Sequence, residues 1–297
     1  MDNQHGLAMQ TRAHGAMLLY AFLVSTSFPI GKAITDQIDP VLLTFLRFSL
    51  ASLFFWLFLS RREKIILPGC KDALRYAVIS LTMVLFFVLM FEALKLTTPV
   101  KTGAIFTLLP LTSGLIGFVL MRIGMSPAQI VALVLGSMGA IWVLFDGSLD
   151  KLIAFDVGRG EFLFALGTLS FSAYAPLIKK LHRGENVLVM TFWVLVFGAL
   201  LLAPFGLPKL VAENWLVMDG RVYLGLLYLA LFNTAGTFFL AKFASVRLPP
   251  AKVMAYTYLT PGFVVVFAAF GNQLPSLSVV AGIGVTIMAM VLLHRTA

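Results

Sequence analysis

Apolar residues in this chain run in stretches of about 20 with no polar face, the length a helix needs to cross the hydrocarbon core of a bilayer. Leu81 to Met90 and Val131 to Leu135 are apolar on every side, which excludes the alternating ten-residue segments of a membrane β-barrel. With 60% of 297 residues hydrophobic and 12% charged, a water-soluble fold is excluded too. The reading is all-α: a polytopic membrane protein with ten transmembrane helices near residues 16–34, 41–60, 74–91, 100–121, 127–145, 161–178, 187–207, 222–241, 250–270 and 276–294. The first stretch is too long for a signal-peptide core, holds Pro29 and Gly31 and lacks a small-residue cleavage site, so it is taken as a span. Ten spans leave no room for a separate soluble domain.

Basic residues cluster at span ends, where they orient a membrane protein rather than bind nucleic acid. One side carries fourteen of the 22 Lys and Arg and the other seven, with Arg47 inside the second span. Both termini are therefore expected in the cytoplasm. Cys70 is the only cysteine, and His5, His14, His182 and His294 are scattered, so disulfide frameworks and clustered metal sites are not expected. All thirteen acids fall in loops, tails or span ends. A proton-driven pump usually places a titrating relay within the membrane, so uncoupled transport or exchange is expected. An intramembrane aspartyl protease needs paired buried acids and a zinc protease needs HExxH; with neither present, the chain does not read as an enzyme, and no cofactor is called for.

Residues 16–146 laid over 161–294 show a duplication. Ser25, Pro29 and Lys32 recur as Ser172, Pro176 and Lys179; Pro99, Lys101 and Pro110 as Pro250, Lys252 and Pro261; and Ser126, Ala132 and Gly139 as Ser276, Gly282 and Ala289. Five spans per half is odd, so the halves enter the membrane from opposite faces. The expected organisation is a cytoplasmic tail (1–15), a first five-helix repeat (16–146), an external linker (147–160), a second, inverted repeat (161–294) and a short C-terminal tail (295–297). Inverted halves are a recurring architecture of secondary transporters, with the substrate near the midplane between them, although channels and some membrane enzymes are duplicated too.

The run Ser27-Phe28-Pro29-Ile30-Gly31-Lys32, the Leu46-Arg47-Phe48 triplet, Ala93-Leu94-Lys95 and the helices holding Pro110 and Pro261 resemble the EamA type of the drug/metabolite transporter superfamily. The resemblance covers roughly residues 16–293 and is nearest the bacterial aromatic amino-acid exporters. It implies export of amino acids or related metabolites across the bacterial inner membrane, and a central cavity lined by spans one, three, four, six, eight and nine. Many relatives carry Gly-Glu pairs after spans four and nine; the aligned glutamate positions here are Ile123 and Gln273.

On those cavity helices the candidate substrate-binding residues are Ser25 and Phe28; Met83, Phe86 and Phe87; Thr102 and Phe106; Ser172 and Tyr174; Tyr228 and Asn233; and Tyr256, Tyr258 and Thr260. Asn233 is the sharpest, since a primary amide in mid-membrane must find hydrogen bonds, from a substrate or from another helix. Tyr256 and Thr260, four apart, are expected on one helical face. Pro29, Pro110, Pro176 and Pro261 are expected to bend their helices, as hinges or as static kinks. Lys101 and Lys252 begin spans on opposite sides and read as gates or as snorkelling anchors. Arg47 reads as an anchor for a substrate carboxylate or partner carbonyl, or as a snorkelling or inter-helix structural residue; its duplicated position is Trp193. Gly114, Gly117, Gly136, Gly139 and Ala140 suit close helix packing, and a homodimer through spans five and ten is as open as a monomer. The expected partners are the lipid bilayer and an amino-acid substrate. The alternatives are a multidrug or other metabolite exporter, and, in another class, a membrane scaffold or enzyme.

Overall fold

The computed structural model describes residues 2–61, 65–122, 124–154, 157–245, 253, 255–270 and 275–296. Among them there is no strand. The helices are α1 (Asp2–Ile34), α2 (Pro40–Leu59), α3 (Cys70–Leu96), α4 (Pro99–Phe106), α5 (Leu109–Met121), α6 (Pro127–Leu144), α7 (Leu149–Ile153), α8 (Arg159–Ser172), α9 (Tyr174–Leu181), α10 (Val187–Ala212), α11 (Gly220–Ala230) and α12 (Thr237–Ser245), then α13 (Thr260–Phe270) and α14 (Leu277–Thr296). Among the described residues, eight helical segments are long and apolar enough to cross a membrane, and Tyr256–Phe270 and Leu277–Leu293 are shorter apolar helices. α1 is helical from Asp2, within the expected 1–15 tail, and the short α7 lies within the expected 147–160 linker.

Helix starts follow local chemistry. Asp39 caps α2, accepting from the Val41 and Leu42 amides at 2.9 and 3.2 Å, with Pro40 at the first helical position. Thr98 with Pro99, and Ser126 with Pro127, repeat the device for α4 and α6, the latter closing a capping box with Gln129. Proline there loses no helical bond and brings its φ preset, while the side-chain oxygen satisfies an orphan amide.

Four expected spans are interrupted. The segment Pro99–Met121 breaks between Phe106 and Leu109, and Arg159–Leu181 breaks at Ala173. Residues Leu231–Gly236 form a π-helical turn between α11 and α12, and Tyr256–Leu259 form a 3-10 turn before α13. Phe106, Ser172 and Thr257 each stand four residues before a proline (Pro110, Pro176, Pro261), and proline cannot donate to the carbonyl four residues back. Pro29 behaves differently: it lies inside the continuous α1.

The helices pack in matched pairs. α1 lies on α12 and α13, and α8 on α3 and α4; α2 lies on α11, and α10 on α3; α2 meets α10, α4 meets α13 and α6 meets α14. Among the described residues, exchanging the first half of the chain for the second maps these pairings onto one another, whereas α4–α6 and α2–α3 have no counterpart of similar extent. In the α6–α14 seam the backbones themselves meet: a Cβ on Gly139 would sit 2.7 Å from the Gly282 carbonyl oxygen. At its end Gly147 has φ +68° and abuts Ser278, whose hydroxyl donates to the Gly147 carbonyl at 2.8 Å.

Candidate functional site

The centre of the bundle is built from aromatic rings. Phe86 of α3 stacks on Phe171 of α8 at 4.7 Å between centroids and meets Phe106 of α4 at 5.8 Å. Phe28 of α1 packs on Phe106 and Phe164 at 5.8 and 5.9 Å. Phe171 stacks in turn on Tyr174 at 5.3 Å, and Phe87 lies 5.0 Å from Phe86. The structure thus brings together Phe28, Phe86, Phe87, Phe106 and Tyr174, with Met83 buried in the same core. Phe164 and Phe171 join them; their positions on span six, three and four residues from Gly167 and two of them seven apart, put both on one face and could have been read. The rings are closed on one another: Phe28, Phe86 and Phe106 are each at most 3% exposed.

Polar residues divide into three kinds. Ser25 and Thr102 spend their hydroxyls on carbonyls of their own helices, Ala21 at 2.6 Å and Pro99 at 3.0 Å, the back-bonding expected of Ser and Thr inside helices. Ser172 does so with Thr168 and also meets Thr112 of α5 at 2.5 Å. Asn233, Tyr228 and Thr26 bridge helices: Asn233 Nδ2 donates to the Leu23 carbonyl at 2.6 Å and to Thr26 Oγ1 at 3.0 Å, and Thr26 lies 2.9 Å from the Tyr228 hydroxyl. Tyr258 and Thr260 are fully buried, with hydroxyls lacking a partner among the described residues. Tyr258 stands apart from the ring cluster, in the α6–α14 seam, where a Cβ on Gly136 would fall 2.5 Å from its ring. The 3-10 turn over Tyr256–Leu259 breaks the helical period that was expected to align Tyr256 with Thr260.

Arg47 does not snorkel. It is 1% exposed, with Nε donating to Thr234 Oγ1 at 2.6 Å and Nη2 to the Asn233 carbonyl at 3.4 Å. That carbonyl lies within the π turn, where the widened helix leaves it open to side-chain donors; Thr237 also donates to it, at 2.8 Å. The guanidinium carbon stands 4.1 Å from the Phe87 ring centroid.

Both ends of the bundle carry a polar latch. Lys101 Nζ approaches Glu161 Oε1 at 3.4 Å, and Thr97 donates to the same oxygen at 2.5 Å, tying α3, α4 and α8 together. Glu161 is only 6% exposed, and Lys101 is paired rather than a free anchor. Near the beginning of the apolar stretch of α1 (Thr11–Ile34), His14 Nδ1 meets the Tyr256 hydroxyl at 2.6 Å. His14 precedes Ser25 by eleven residues, as Glu161 precedes Ser172, so the two latches join repeat-related helices. Lys252, Ile123 and Gln273 lie outside the described residues. Elsewhere, residues Thr35–Asp39 and Lys95 line a shallow surface cavity of about 380 Å³, away from the rings.

The EamA-like transporter family model matches this chain twice, over residues 11–145 and 158–295. The chain belongs to the EamA-like transporter family. An uncharacterized transporter of Archaeoglobus fulgidus is 25% identical over 288 residues, 96% of this chain and 98% of the relative. The uncharacterized transporter YetK of Bacillus subtilis is 24% identical over 255 residues, 85% of this chain and 77% of that one. A solved crystal structure at 18% identity shares the fold, with a TM-score of 0.69 and 96% of each chain covered. This EamA-family chain is thus a multi-pass membrane protein whose relatives are named as transporters.

Proposed function

We propose that this protein exports amino acids, aromatic and other neutral ones, across the bacterial inner membrane by alternating access, without obligatory ion coupling. Ten crossing helices form two inverted repeats, 16–146 and 161–294, about an external linker at 147–160, with both termini in the cytoplasm. The observation that carries the reading is the ring cluster at the junction of α1, α3, α4 and α8, flanked by a latch at each end of the bundle. Aromatic walls with a few polar groups suit a solute that is part apolar and part charged. The matched helix pairing and the double family match support the inverted repeat. Two near-equivalent halves can exchange conformations and so trade an outward opening for an inward one. Under this reading the closed packing of Phe28, Phe86 and Phe106 is one state of the cycle. The nearest alternative is export of drugs or other metabolites through the same rings.

The test is uptake of labelled tryptophan, threonine and methionine into liposomes holding the purified protein, with empty liposomes as control and no ion gradient. Saturable uptake of several is expected. No uptake with folded protein would turn the reading toward another solute class.

A further inference from the structure

Arg47 is a buried cation with part of its hydrogen-bonding capacity unused. Nε and Nη2 are engaged by Thr234 and Asn233, but Nη1 has no hydrogen-bond partner among the described residues. No carboxylate among the described residues forms an ion pair with it. Withdrawing a guanidinium from solvent is costly unless a counter-charge and further hydrogen bonds compensate it. The face of Phe87 returns only part of that through its negative quadrupole. An inter-helix clip needs no formal charge: a neutral donor reaching Thr234 would serve. The cation therefore lacks the anion that would make it economical to keep.

We infer that Arg47 is the recognition site for a carboxylate carried by the substrate, with Nη1 as the donor left open for it. Phe87 lies between the guanidinium, at 4.1 Å, and Phe86, at 5.0 Å, the ring at the middle of the aromatic cluster. A solute that parts those rings places its apolar body among them and its carboxylate against the arginine. The planar fork of a guanidinium matches a carboxylate in a way an ammonium does not. The corresponding position of the second half is Trp193, which cannot carry charge, so the site takes one carboxylate per carrier. The inference rests on the carrier reading above and adds the group that is recognised.

The experiment is competition against labelled tryptophan uptake in liposomes by three analogues. Indole-3-propionate keeps the ring and carboxylate, whereas tryptamine and tryptophanamide keep the ring and amine but lack the carboxylate. The wild-type protein should be inhibited by the acid about tenfold to a hundredfold more effectively than by the other two, the worth of a hydrogen bond to a charged group. R47M, similar in bulk and free of the buried charge, should lose that preference, and R47K should keep part of it. Equal inhibition by all three, or a preference retained in R47M, overturns the inference while leaving the carrier reading intact. Should R47M fail to fold, the analogue series on the wild type decides alone. If the wild type takes up no tryptophan, the amino-acid reading fails. The inference then stands only if indole-3-propionate, and not tryptamine, raises the wild type's melting temperature in detergent, and falls if it does not.

Discussion

Asn233 ties three helices to the π turn through hydrogen bonds. Its amide holds α1 through Leu23 and Thr26, while its carbonyl receives Arg47 and Thr237. Replacing it with leucine removes the amide donors but leaves the backbone carbonyl, so folded protein should still reach the membrane. Uptake by N233L is expected to fall at least tenfold; normal turnover with intact protein would remove Asn233 from the site. Outside the spans, Asp39 makes a different kind of contact. Burial alone would raise its carboxyl, but the hydrogen bond from Lys209 Nζ at 2.5 Å, with those from the Leu42 and Val41 amides, holds it below the ordinary range. A depressed carboxyl stabilises the fold above its unfolded value, and that contribution is lost as pH falls through the folded value. D39N should therefore melt below wild type at pH 7, and the gap should close in acid, below pH of about 4. A gap that persists unchanged into acid would show that the charge of Asp39 does not carry the difference, since asparagine keeps the capping oxygen.

Elements carry their own predictions, because helices meet through backbone as well as side chains. At the Gly139–Gly282 contact a leucine has no space without parting α6 from α14. Overfilling a packed seam costs about 1–3 kcal/mol, so G139L should lower the melting temperature in detergent, whereas G284L, with open space around it, should not. If G139L melts like wild type, the seam is more plastic than its spacing implies. How much was legible in the sequence follows the same division. Starts at Pro40, Pro99 and Pro127 and breaks before Pro110, Pro176 and Pro261 are local, one or two turns of chain each, and could be read directly. The π turn at Leu231–Gly236 has no proline, and its Asn233 carbonyl faces an arginine 186 residues away; no local pattern encodes that. The ring cluster was half visible, since Phe28, Phe86, Phe87, Phe106 and Tyr174 lie on helices that the family resemblance assigned to the cavity. Tyr258 fell elsewhere because the short turn before α13 rotates it into the α6–α14 seam.

For the whole molecule, the two latches give the alternating-access reading its geometry. Following the helices from end to end, the apolar stretch of α1 (Thr11–Ile34) begins at one side of the bundle near His14, and α4 starts at the other near Lys101. The Lys101–Glu161 contact ties α4 to α8, and the His14–Tyr256 contact ties α1 to the turn before α13. If the halves exchange conformations, each latch must part when its own side opens, and the two should never be open together. Cysteine pairs at 101 and 161, or at 14 and 256, in a background where exposed Cys70 is replaced, stand too far apart for a direct bridge, because the native contacts are made by side-chain tips. A bifunctional thiol reagent that joins both cysteines through reducible disulfides therefore converts each latch into a covalent tie. Either tie alone is expected to stop uptake, and reduction of the disulfides to restore it. Accessibility separates this from simple damage. With the Lys101–Glu161 side tied, a small thiol reagent should reach a third cysteine at Ser25 only from the His14 side, and with the His14–Tyr256 side tied only from the other. Uptake undiminished by both ties, or a Ser25 position reached from the same side in both, would remove the latches from the cycle and leave the closed ring cluster as static packing.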